Sequence, residues 1–102
     1  MTLSVHEKEA LKRDLVSCLE GDREISRIII FGSFITSREP ADMDVAVFQS
    51  SDEAYIPLAM KYRRKTRSVA HRIPLDIIPI RKDVMDSPFL REIESGETVY
   101  EQ

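Results

Sequence analysis

Ile28, Ile29, Ile30 and Phe31 run together without a polar break, and Gly32 and Ser33 follow at once. A strand with one wet face alternates apolar and polar residues, so a β-branched run without alternation suits a central strand covered on both faces. A chain of 102 residues can bury one hydrophobic core and is too short for two. Residues 1–102 are therefore expected to form a single α/β (α+β) domain, a small mixed sheet with helices flanking it.

The remaining elements fall around that strand. Ser4 and Glu7 have capping-box spacing, and Leu11, Leu15, Cys18 and Leu19 then recur at helical intervals until Gly21 and Asp22 offer a stop. After a polar turn at Ser37–Pro40, the period of two over 42–48 puts Asp42, Asp44, Ala46 and Phe48 on one strand face and Met43, Val45 and Val47 on the other. Tyr55, Ala59, Tyr62, Thr66 and Val69 mark one helix face, with Pro57 best placed in the first turn. A strand over Leu75–Ile80 carries Pro79 and follows Pro74, which suits a sheet edge, where a missing ladder donor is tolerated. Ser87 and Pro88 open a short helix with Phe89, Leu90 and Ile93 facing inward; Gly96 stops it, and Thr98–Tyr100 add a last short strand.

Composition narrows the function classes. A formal net charge of −3 argues against broad nucleic-acid binding by a basic surface, although Lys61, Arg63, Arg64, Lys65, Arg67, His71 and Arg72 concentrate positive charge in one stretch. The simplest reading of that stretch is a solvated helix face; RNA contact is the weaker one. No apolar run reaches the roughly 18 residues of a membrane span, and residues 1–10 lack the apolar segment of a signal peptide, so a cytoplasmic setting is expected. A lone cysteine, Cys18, agrees with a reducing compartment, and His6 and His71 are too isolated to suggest zinc.

The chemistry rests on three aspartates. Asp76 sits within Leu75, Ile77, Ile78 and Ile80, where a carboxylate has no packing role and is costly to bury unpaired. Asp42 and Asp44 share one strand face at i and i+2, and like charges that close repel unless something positive stands between them. A divalent cation is the simplest such partner. Carboxylates from neighbouring strands supply the hard oxygen ligands Mg²⁺ or Mn²⁺ accepts, and such a set can hold two metals for in-line displacement at phosphorus. Gly32 allows a close backbone approach, and Ser33 offers a hydroxyl and, where a helical turn begins, N–H groups that face an anion.

The run Ile30-Phe31-Gly32-Ser33, then Asp42-Met43-Asp44-Val45, then Leu75-Asp76-Ile77 resembles the signature of the polymerase β-like nucleotidyltransferases, and in particular of their minimal branch. Phe89-Leu90-Arg91-Glu92-Ile93 with Thr98-Val99-Tyr100 is similar to that branch's ending. The resemblance implies the polymerase β-like fold. It implies that Asp42 and Asp44 bind both metals, that Asp76 helps activate the acceptor hydroxyl, and that Gly32 and Ser33 grip the β and γ phosphates. The implied reaction moves a nucleoside monophosphate from a nucleoside triphosphate, ATP foremost, to an acceptor hydroxyl on a protein, an RNA or a small molecule. The implied partner is a separately encoded helical HEPN protein, in a toxin and antitoxin pair, or a second copy of the chain.

Two departures motivate an alternative. The Arg-Gly common after the Gly-Ser pair is here Thr36-Ser37, and the loop of eight residues from Phe34 to Ala41 is short for the family. The alternative is a non-catalytic nucleotide-binding or protein-interaction module that keeps the fold.

Overall fold

The computed structural model describes residues 2–84 and 86–102. Helix α1 (Val5–Leu19) starts on the complete capping box: the Glu7 N–H donates to Ser4 Oγ, and the Ser4 N–H donates to the Glu7 carboxylate. Leu11, Leu15 and Leu19 form its buried stripe. The helix ends through Glu20 in a right-handed conformation, so Gly21 is not used for a left-handed stop.

Four strands form a mixed sheet in the order β3-β2-β1-β4. Strand β1 (Ile25–Phe31) lies inside it, antiparallel to β2 (Met43–Gln49) on one side and to β4 (Glu97–Glu101) on the other. Strand β3 (Leu75–Arg81) runs parallel to β2 at an edge, where Pro79 costs no ladder bond to a further strand. Strands β2, β3 and β4 keep within one residue of their sequence-based bounds, and Asp42 falls just ahead of β2 rather than in it.

The unalternating run is explained by the two layers. Ile28 and Ile30 face a large core with Leu11, Leu15, Leu19, Met43, Val45, Val47, Tyr62 and Ile77. Ile29 and Phe31 face a smaller one with Ala46, Phe48, Ile80 and Ile93. Helices α1, α3 (Tyr55–Lys65) and α4 (Arg67–Ala70) supply the first layer, and α5 (Pro88–Glu94) the second. The expected single helix over Tyr55 to Val69 is interrupted at Thr66, whose hydroxyl bonds back to the Tyr62 carbonyl at 2.8 Å; such back-bonding bends helices.

Two aromatic residues depart from the expected inward placement. Tyr55 is 53% exposed and Phe89 is 50% exposed. Both sit in the first turn of a helix, where the chain has not yet passed over the core. Tyr62 is fully buried instead, and its hydroxyl donates to Glu24 at 3.1 Å, beside the Lys61 ammonium at 2.7 Å. Gly96 is needed for close approach: a Cβ there would collide with the Ile30 carbonyl and with Phe31, so β4 could not lie where it does against β1.

Candidate functional site

Gly32 ends β1 with φ 76° and ψ −152°, a backbone region open in practice to glycine alone, and the single positive φ among the described residues. The turn passes directly into a one-turn helix, α2 (Ser33–Thr36), in which the Ile35 and Thr36 N–H groups donate to the Gly32 carbonyl. The amides of Ser33 and Phe34 precede those first bonds and stand at the open end of the turn. Phe34 anchors the turn in the main core with no exposed surface.

The far end of the turn is held by a residue the sequence did not single out. Lys8 reaches across from α1, and its ammonium donates to the Phe34 carbonyl at 2.7 Å and to the Ser37 carbonyl at 2.5 Å, with the Phe34 ring 5.3 Å away. The backbone adds to this clamp, since the Leu3 N–H donates to the Arg38 carbonyl. A lysine on an amphipathic helix gives no sequence signal of such a role; the contact spans 26 residues.

The aspartates converge by sheet register. Phe31 is the cross-strand partner of Asp44, which puts Asp44 beside the Gly32 turn. A Cβ built on Gly32 would lie 2.6 Å from Asp44 Oδ2. Asp44 is in turn the register partner of Asp76 in the parallel β2–β3 pair, so the two side chains leave the same sheet face, the one that carries Ala46, Phe48, Ile78 and Ile80. Asp42 is two residues back in the approach to β2, half-buried.

Burial, then the charges of Asp42, Asp76 and Glu92, hold the Asp44 carboxyl above the usual carboxylate range. Glu92, on α5, is a fourth acidic group at this end of the sheet, and nothing in its helical context marked it. Asp76 corrects the sequence argument that led to it: it is exposed rather than buried, because α5 covers the further part of this face and leaves the start of β3 open. The carboxylate there faces an open site rather than an apolar interior.

Among the described residues no three carboxylate, imidazole or thiolate groups stand close enough to make a finished metal cage. The donor set nonetheless fits a divalent cation. Mg²⁺ is commonly held by one or two carboxylates together with waters and substrate phosphates, and a cation is what would relieve the charge crowding on Asp44. His6 and His71 are exposed and take no part. In the basic stretch, Lys61 pairs with Glu24, Lys65 with Asp22 and Arg72 with Asp14, so three of its seven residues are absorbed in ion pairs of the fold's own surface.

No family model and no curated protein matches the chain. Solved structures do. A chain of the complex between the tri-AMPylated Shewanella oneidensis HEPN toxin and its MNT antitoxin superposes with a TM-score of 0.62 at 13% identity, over 93% of this chain and 73% of that one. A chain of the toxin–antitoxin pair MntA–HepT gives 0.59 at 12% identity, over 92% and 73%. A chain of the E. coli MS115-1 CdnC:HORMA-deltaN complex gives 0.55 at 22% identity, over 95% of this chain and 42% of that one, so this chain spans under half of it. The chain thus shares a nucleotidyltransferase-type fold with chains of these complexes. No helix among the described residues is long and apolar enough to cross a membrane.

Proposed function

We propose that this chain binds a nucleoside triphosphate with a divalent cation and transfers its nucleoside monophosphate to an acceptor hydroxyl, as the partner of a HEPN-type protein. The observation that carries the proposal is the register of three features on one sheet face: the glycine-only turn at Gly32, Asp44 in contact distance of it, and Asp76 level with Asp44 on the next strand. Phosphates at the open end of the Gly32–Ser33 turn would lie beside Asp44, with Asp42 close by.

The chain's own residues do the positioning. Gly32 keeps the backbone low enough for a phosphate to approach, and Ser33 offers its hydroxyl and N–H. Asp42, Asp44 and Asp76 would hold Mg²⁺ or Mn²⁺, which when bound supplies charge neutralisation at the phosphates. Asp76, exposed at the sheet edge, would accept the proton of an incoming hydroxyl, whose oxygen bonds to the α-phosphorus while the bond to pyrophosphate breaks. No His or Cys nucleophile is needed, because the work is orientation and charge stabilisation.

The partner assignment is supported by the two structural neighbours that are complexes of a HEPN or HepT toxin with its antitoxin. The test is thermal unfolding with each nucleoside triphosphate, with and without Mg²⁺ or Mn²⁺, followed by transfer of labelled nucleotide to candidate acceptors. A metal-dependent shift for wild type, abolished in Asp44→Asn, is the expected result; no shift with any nucleotide would leave the non-catalytic interaction module as the reading.

A further inference from the structure

On the same sheet face as the aspartates, a groove of about 360 Å³ opens between β3 and α5. Its floor is Ile78 and Ile80, and its wall is Phe89, Leu90 and Ile93. The groove begins where the acidic site ends. Ile78 follows Asp76 on the same face of β3, one side-chain repeat or roughly 7 Å along the strand. At the other corner the Phe89 ring meets Phe31 edge to face, centroids 6.2 Å apart, and Phe31 precedes Gly32 and pairs with Asp44.

From this geometry we infer that the groove receives the base of the nucleoside triphosphate whose phosphates are held at Gly32 and Ser33. The inference rests on the nucleotide-binding reading of that site. The lining is mainly apolar, with Arg81, Asp83 and Ser87 adding polar groups, and its volume lies within the range of small-molecule sites. A flat heteroaromatic ring gains there from contact with aliphatic side chains and from the Phe89 ring, which is 50% accessible despite its place in the wall. A polyphosphate gains nothing from such a surface, so the groove adds affinity for the nucleoside alone.

The experiment compares ATP with inorganic triphosphate, each with Mg²⁺, by calorimetric titration and thermal shift on the full chain. Variants are Phe89→Ala and Ile78→Thr, both at accessible or half-buried positions, with retained triphosphate binding as the check on folding. The expected result is ATP binding at least tenfold tighter than triphosphate in wild type, with that advantage reduced about tenfold in each variant while triphosphate affinity stays unchanged. Equal affinity of wild type for the two ligands overturns the assignment of the groove. Variants that bind ATP as wild type does but lose transfer to an acceptor also overturn it, and give the groove to the acceptor instead. Failure of both ligands to bind wild type with either Mg²⁺ or Mn²⁺ overturns the nucleotide site itself, and the groove assignment with it.

Discussion

Gly32 and Asp44 are fitted to each other: the hydrogen on the Gly32 α-carbon points where a methyl group would stand 2.6 Å from Asp44 Oδ2. The contact joins the turn that would take phosphates to the carboxylate that would take a cation. It requires glycine twice over, for the positive φ and for the space.

Gly32→Ala is accordingly expected to destabilise the fold by about 2 kcal/mol, from backbone strain together with displacement of Asp44. Chemical denaturation measures the first effect. Loss of the metal-dependent nucleotide shift at temperatures where the variant remains folded measures the second.

Asp44→Asn should raise the melting temperature of the ligand-free protein at neutral pH. The folded-state pKa of Asp44 lies above its ordinary value of 3.8, so the folded form binds the proton more tightly than the unfolded form. Ionised Asp44 therefore destabilises the fold at all pH values above its folded pKa. That penalty fades as pH falls through the raised value and is gone below about 3.8. Melting curves of variant and wild type should converge in acid and separate toward neutrality. Saturating nucleotide and Mg²⁺ should reverse the order, stabilising wild type alone.

Lys8→Met removes two charge-assisted bonds to the Phe34 and Ser37 carbonyls while keeping the stem that lies along Phe34. Because hydrogen bonds from charged groups contribute on the order of 1.5–3 kcal/mol, a loss of about 2 kcal/mol is expected. A clamp on the Gly32–Ser33 turn also predicts weaker nucleotide binding at a temperature well below unfolding. Lys8→Arg should restore part of both, as read by titration.

Ser4→Ala tests the helix start independently of the site. It breaks one half of the capping box and should cost about 1 kcal/mol, roughly 4–8 °C in a domain of this size, with nucleotide binding unchanged. A larger loss, or an effect on binding, would mean that the N-terminal segment holds the Arg38 loop more firmly than the Leu3 backbone bond and the Thr2 hydroxyl bond to Glu39 suggest.

Which elements form, and what each can offer, follows from the order of residues along the chain. The unbroken Ile28–Phe31 run predicts a strand covered on both faces because each residue must bury its side chain on one side or the other, and the alternation after Asp42 sorts its residues between two cores, as found. Local chemistry also placed the capping box, the edge position of the Pro79 strand and the turn at Gly32-Ser33. These are legible because they depend on residues a few positions apart. Which distant residues meet is settled by packing instead. The register Asp44 opposite Asp76, the reach of Lys8 across 26 residues, the approach of Glu92 to Asp44 and the open edge that leaves Asp76 in solvent all follow from how strands and helices pack. Packing is set by the summed burial of many side chains, so no short motif in the chain carries it.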